Sequence, residues 1–278
     1  MFSILSKILQ KKFIELFSLI PLKHCRIIKP YLLERTGISN GTAIMIAIPY
    51  FTQAAMDSKR NISAYAVSKD YHLYFAELFN EIIPQLKQVY PEYQFYGFAD
   101  HSPIAEIDAA AASGLGIIGK NGLLITEKYS SYVFIGEIIT DMMTPCSVTP
   151  IRFCENCNKC KSYCPSQSCG DCLSALTQKK GDLTDTERNH LTYFQSAWGC
   201  DICQEVCPHT QKAIENKTIF SPIPFFEQDP IAHVTTQIID NMTDTEFSKR
   251  AYAWRGRETI HRNLEMIDDA QKKGASKC

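Results

Sequence analysis

The chain has 278 residues, of which 45% are hydrophobic and 21% charged; this is material for about two compact domains and excludes a disordered tail or a miniprotein. Lys and Arg number 29 against 30 Asp and Glu, so no global basic field announces a nucleic-acid binder, and any such partner must meet a local patch. Nine of the twelve cysteines fall between Cys154 and Cys207, a concentration that points to metal or redox chemistry in a reducing compartment.

In residues 1–20, MFSILSKILQKKFIELFSLI, lysines at 7, 11 and 12 interrupt the apolar residues. With no continuous apolar stretch and no small-residue cleavage site, the segment reads as an amphipathic helix packed on the domain and not as a signal peptide. No run approaches the roughly 20 apolar residues of a membrane span, so a cytoplasmic protein is expected. Thr42 to Pro49 (TAIMIAIP) follows the turn signal Ser39-Asn40-Gly41 and reads as a buried strand. Tyr71, Phe75, Leu78 and Ile82 then recur at helical steps, the stripe of a helix lying on a sheet. Phe95 to Phe98 is a second strand. After it, Ser102 and Pro103 suit the cap and first turn of an alanine-rich helix to about Ser113. Strands resume at Leu123 to Thr126 and Tyr132 to Thr140.

Gly114-x-Gly116-x-x-Gly119-Lys120 matches the dinucleotide fingerprint and nearly matches a P-loop. Both motifs need a strand before the glycines and a helix after them, whereas here a helix precedes and a strand follows. The reading is therefore a helix C-cap and turn, with Gly114 at positive φ and with backbone passing close to something bulky.

The cysteines carry the strongest signal. Cys154-x2-Cys157-x2-Cys160-x3-Cys164-Pro165 is the bacterial ferredoxin spacing, in which three thiolates of a tight loop bind one 4Fe-4S cluster and the fourth reaches another. Cys200-x2-Cys203-x3-Cys207-Pro208 lacks one ligand of a matching quartet, and Cys172 is the best upstream candidate, with Cys169 as the alternative. Two interleaved clusters follow: Cys154, Cys157, Cys160 and Cys207 for one, and Cys164, Cys172, Cys200 and Cys203 for the other. Cys-x2-Cys pairs also serve zinc, but the triple spacing and the two Cys-Pro endings favour iron–sulfur. Cys25, Cys146 and Cys278 read as ordinary buried or terminal residues.

Several spaced segments together resemble the epoxyqueuosine reductases, cobalamin-dependent iron–sulfur enzymes that complete queuosine in tRNA. These are ISAYAVSKDYH, ADHSPIAE, GLGIIGKN, SYVFIGEIIT, the first cysteine motif, CLSALTQKKG, GCDICQEVCP and RAYAWRGRETIHRNL, running from about residue 40 to 265. The resemblance implies an α+β chain: a mixed α/β domain over 1–145 binding cobalamin and substrate, a ferredoxin-like double 4Fe-4S module over 146–225, and a helical tail over 226–278. It implies an oxidoreductase that removes the epoxide oxygen of epoxyqueuosine at the tRNA wobble position. Electrons would come from a donor such as a ferredoxin or flavodoxin and pass from the clusters to cobalamin. Asp100 matches the family's proton donor, and burial beside the corrin is expected to raise its pKa for general-acid work. The cobalamin contacts implied are Tyr71, His72, Asp100, Lys120, Asn121, Leu124, Ile135, Ser174 and Gln178. Cys172 is favoured as fourth ligand on the same comparison. Lys179, Lys180 and the arginines between 250 and 262 would form the local basic surface for an anticodon stem-loop. At position 130 the family pattern favours glycine where this chain has serine. Two other readings are a cobalamin-dependent reductase of another small substrate, by dehalogenase-like chemistry, and a non-catalytic ferredoxin-type electron carrier.

Overall fold

The computed structural model describes residues 2–155 and 157–275, except for the side chains of residues 2, 3, 168, 169 and 273–275. The chain forms two compact units, each assembled from separated stretches. One comprises residues 1–50, 71–157 and 212–223; the other comprises 51–70, 158–211 and 224–278. Among the described residues no helix is long and apolar enough to cross a membrane.

The first unit is built on an antiparallel sheet of β1 (Leu16–Pro21), β2 (Thr42–Pro49), β3 (Phe95–Ala99) and β6 (Val133–Thr140), in the order β1-β2-β6-β3. The unbroken apolar sequence of β2 reflects its central place, since every one of its residues is buried. Residues 1–20 are not one helix. Helix α1 (Phe2–Gln10) ends before Phe13 turns to φ 60°, and Leu16–Pro21 instead forms an edge strand that buries Leu19 and Ile20. The short β4 (Ile117–Ile118) and β5 (Leu124–Ile125) form a separate hairpin.

The two faces of the sheet follow from strand alternation. Helix α3 (Tyr71–Val89) covers the face that carries Gly97 and Gly136, where the rings of Phe79 and Phe75 rest directly on the glycine backbone. A methyl group at Gly136 would be driven into the ring of Phe75, which is itself buried. Gly136→Ala is therefore expected to cost about 1–3 kcal/mol of stability through overpacking, measurable as a lowered urea midpoint. The short α2 (Pro30–Thr36) precedes β2, and α4 (Glu106–Ala112) packs on the opposite face. There Ala109 to Ala112 join Met45, Leu124 and Ile139 in the core.

Helix α4 starts three residues later than the sequence suggests. Ser102 does not cap it: the Ser102 hydroxyl donates to Glu137 and accepts the Ile104 N–H, and Ile104 bridges to Ile27 in extended form. At the other end Gly114, at φ 91°, closes the helix. Its N–H bonds Ala111 O, and the Leu115 N–H bonds Ala110 O, a Schellman arrangement.

The second unit is helical: α5 (Lys159–Ser162), α6 (Ser166–Cys169), α7 (Leu173–Thr177), α8 (Asp185–Phe194), α9 (Ile202–Glu205), α11 (Thr236–Asn241), α12 (Asp244–Phe247) and α13 (Arg257–Ala275); α10 (Pro208–Glu215) runs across the division of the chain. A reciprocal capping box, Thr184 with Glu187, starts α8. Asp201 is almost wholly buried and holds the loop between two cysteines. It accepts from Arg60 Nη1 at 2.7 Å, from the Ala64 N–H at 2.6 Å and from Ser63 Oγ at 2.5 Å. Asp201→Ala would leave Arg60, only 13% exposed, without its inner partner, and a loss of about 3–5 kcal/mol is expected in chemical denaturation.

Candidate active site

In the first unit a cavity of about 180 Å³ is lined by Tyr71, Asp100, Glu106, Leu123, Leu124, Val133, Phe134 and Ile135 among others. Four of the contacts expected from the sequence, Tyr71, Asp100, Leu124 and Ile135, therefore share one wall. Tyr71, the first residue of α3, lies flat on Phe134 at 4.0 Å between centroids and also meets the ring of His72 at 4.1 Å. The lining is an apolar floor with carboxylates at its edge. It is smaller than the roughly 300–1,000 Å³ of an enclosed ligand pocket.

Asp100 follows β3 in a tight turn. The His101 N–H bonds Ala99 O at 2.7 Å, and Asp100 at the apex has φ 62°, a sparsely populated conformation for a residue with a side chain. Its own N–H donates to Glu106 Oε1 at 3.0 Å. Its carboxylate lies 3.8 Å from His72 Nε2 and is 70% exposed. Here the structure departs from the expectation of a raised pKa. The nearby His72 imidazole holds the Asp100 carboxyl below the usual range, with the charges of Lys29 and His101 adding to it, and these outweigh partial burial. His101 is held by Lys29 Nζ at 3.2 Å and Tyr31 OH at 3.1 Å.

Lys120 and Asn121 do not line this cavity. The Lys120 N–H points to Cys154 Sγ at 3.1 Å, and Asn121 Oδ1 accepts the Leu123 N–H. Adjacent backbone bonds, Cys154 N–H to Ile118 O and Ile118 N–H to Arg152 O, fasten the glycine-rich turn to the start of the first cysteine motif. The close approach that the glycines permit is to the chain itself: a Cβ on Gly116 would strike Ile125 O, and one on Gly119 would strike the Asn121 side chain. Ser130 takes φ 52°, a left-handed conformation that glycine adopts more readily.

Ser174 and Gln178 belong to the second unit, on and just after α7, and bond one another. The same unit holds Cys160, Cys164, Cys172, Cys200, Cys203 and Cys207, whereas Cys154 and Cys157 fall in the first. Among the described residues none of these cysteines is joined in a disulfide. The side chain of Cys169 and the whole of Cys278 lie outside the described residues. Helix α5, carrying Cys160, packs on α9, carrying Cys203. Cys172 and Cys203 lie within electrostatic reach of Cys200, whose thiol is pushed up to about 12, chiefly by burial. Among the described residues no three His, Cys, Asp or Glu side chains converge on a single-ion site. The fit to a cluster therefore rests on the all-thiol donor set, its spacing, and the grouping of Cys172, Cys200 and Cys203.

No protein-family profile matches the chain. Curated relatives do. The chain is 29% identical over 244 residues to an epoxyqueuosine reductase from Lactococcus garvieae, covering 80% of this chain and 67% of that protein. It is 28% identical over 222 residues to one from Gloeobacter violaceus, covering 75% and 68%. The chain is similar to epoxyqueuosine reductases along most of its length. It spans about two thirds of the length of these two relatives. The fold agrees: an epoxyqueuosine reductase structure from Streptococcus thermophilus superposes with a TM-score of 0.75 at 22% identity, over 96% of this chain and 80% of that one. An epoxyqueuosine reductase crystallised with an epoxyqueuosine-modified tRNA-Tyr stem loop gives 0.74 at 21%, over 96% and 81%.

Against the basic surface that the resemblance implies, several of the basic residues are structural. Arg250 is buried and bonds Asp229 O; Arg257 satisfies the carbonyls of Ile239 and Met242 after α11; Arg262 bonds Gly181 O; Lys179 pairs with Glu187 at 2.6 Å. Lys180 and Lys249 are exposed, as is Trp254 with Arg255 stacked on it. Two features escape a motif reading. Asn263, fully buried on α13, ties Thr177 O to Ala197 O at 2.7 and 2.9 Å and so fixes α7 against the approach to Cys200. Glu106, which accepts the Asp100 N–H, and its buried neighbour Glu137 form two adjacent carboxyls. A lone charge in SYVFIGEIIT was the available signal for the second of them.

Proposed function

We propose that this chain reduces the epoxide of epoxyqueuosine, carried at the wobble position of a tRNA, to the alkene of queuosine. The epoxide takes up two electrons and two protons and yields alkene and water. The observation that carries this reading is the cavity that gathers Tyr71, Asp100, Leu124 and Ile135 in one wall, because these are residues the epoxyqueuosine reductase resemblance selects across more than sixty positions of sequence. When bound, two 4Fe-4S clusters and cobalamin supply single electrons and a strongly reducing cobalt centre.

The chain's own residues have separate tasks. Cys154, Cys157, Cys160 and Cys207 would hold one cluster, and Cys164, Cys172, Cys200 and Cys203 the other. The apolar floor of Leu124, Val133 and Ile135 excludes water from one side of the reacting centre. Tyr71, locked between Phe134 and His72, fixes the neighbouring wall. Asp100 delivers a proton to the departing oxygen. Covering the site with cofactor and substrate would remove water from Asp100 and move its pKa upward from the value that His72 sets in the open site. The partners are a tRNA anticodon stem-loop and a one-electron donor such as a ferredoxin or flavodoxin.

The test is turnover by anaerobically reconstituted protein of an anticodon stem-loop bearing epoxyqueuosine. Loss of one oxygen from the nucleoside, read by mass spectrometry, is expected. Protein that retains iron and corrinoid yet leaves the nucleoside unchanged would overturn the reading.

A further inference from the structure

Removing the epoxide oxygen as water consumes two protons, and Asp100 carries one. The second needs a source near the same cavity. β6 alternates so that Gly136 and Ile138 face α3 while Glu137 faces α4, opposite Phe98 on β3 and Met45 on β2. Glu137 is fully buried. One carboxyl oxygen accepts from the Ser102 hydroxyl, and the other, Oε2, has no hydrogen-bond partner among the described residues. Its neighbour is Glu106, the first residue of α4, which lines the cavity together with Asp100 and accepts the Asp100 N–H.

We propose that Glu106 and Glu137 form a carboxyl pair that stores the second proton of the reaction and passes it to Asp100. The proposal rests on the reading of Asp100 as proton donor. The proton moves from the pair, by way of Glu106 and the open cavity, onto the Asp100 carboxylate left after the first transfer. The pair then takes a proton back from solvent. No electrons move in this step, and the charge lost by Asp100 is gained by the pair.

A bland role, in which Glu106 only favours the start of α4, explains one carboxyl and not the other. Among the described residues Glu137 makes no salt bridge, and an ionised carboxylate buried without a cation is costly, so it is held neutral. A glutamine would fill the same space without titrating. Burial pushes Glu106 up to about 7, and burial together with the charge of Glu106 raises Glu137 well above the carboxylate range. The charged or titratable groups around the pair are Asp100 and Lys29, which both act on Glu106; His72 and His101 beside Asp100; the buried thiol of Cys25; and Asp108, paired with Arg26. At neutral pH the pair therefore keeps at least one proton that Asp100, in the open site, has given up.

Two measurements test it. Infrared spectroscopy of the full chain should show a protonated-carboxyl band that titrates near pH 7 and is lost in the Glu106→Gln/Glu137→Gln double variant. A wild-type chain with no such band above pH about 5, near the ordinary carboxylate range, overturns the proposal. In the reconstituted enzyme, Glu106→Gln should lower kcat by about 10–100-fold, a fraction of a full general acid's contribution. KM should hold, and the decline of rate through about pH 7 should disappear. Wild-type turnover with a Glu106→Gln variant that keeps the same kcat and pH profile sinks this proposal alone. A wild-type chain that binds the stem-loop without reducing it sinks the functional reading and this proposal with it.

Discussion

Replacing Asp100 with asparagine is expected to reduce turnover of epoxyqueuosine by about 10²–10⁴-fold, the usual worth of a positioned general acid, while iron and corrinoid contents stay at wild-type levels. Asparagine keeps the shape of the turn and the N–H to Glu106 but has no proton to give. The pH dependence follows from the surroundings of the carboxyl. His72 depresses the Asp100 pKa in the folded chain, so this contact stabilises the fold above the unfolded-state pKa and is lost as pH falls through the folded value. With the side chain 70% exposed, solvent screening keeps that stability contribution small. Activity runs the opposite way, because the acid must be protonated: kcat/KM should fall as pH rises. His72→Gln removes the main cause of the depression, so its falling limb should lie at higher pH than in the wild type. An Asp100→Asn enzyme retaining more than about a tenth of wild-type kcat/KM, less than the smallest general-acid effect, would exclude Asp100 as the proton source.

Elements set by local pattern were legible from the residues. The β2 strand and the start of α3 stand where their apolar spacing placed them, and Gly114 ends α4 as a left-handed cap. Where tertiary contacts compete with local preference, the sequence misleads. Ser102 has the chemistry of a helix cap, yet Glu137, 35 residues away, takes its hydroxyl. Leu16–Pro21 continues an amphipathic pattern, yet pairing with β2 draws it into the sheet. At the site, family motifs pointed to Asp100, Tyr71, Leu124 and Ile135, which meet in space. They also pointed to the Lys120-Asn121 turn, whose observed role is to receive Cys154. The electrostatic state of Asp100 was not legible, because it depends on His72 and Lys29 arriving from other parts of the chain.

Substituting Cys203 with alanine is expected to lower bound iron from about eight to about four atoms per chain, since a 4Fe-4S cluster that loses one of four thiolates is poorly retained, and to abolish turnover by cutting the supply of electrons. Cys203 sits on α9 two residues after its N-cap Asp201, which Arg60 and Ser63 hold in place. The loss would therefore reflect a missing ligand and not a collapsed segment, and unchanged far-ultraviolet circular dichroism is the control. Cys172→Ala should behave in the same way, because Cys172 opens α7 and lies within electrostatic reach of Cys200. Cys169→Ala should keep eight irons. A Cys172 variant with full iron beside a Cys169 variant with half would transfer the fourth ligand to Cys169. Zinc in place of iron in the wild-type protein, with no visible charge-transfer absorption, would instead make the cysteines structural. Each protein thiolate added to a cluster also stabilises the folded loop that presents it, because metal affinity and folding free energy are coupled. For that reason the iron-depleted variants should unfold at lower denaturant than the wild type, whereas Cys25→Ala, at a buried thiol that points to Pro21 O, should leave iron content unchanged.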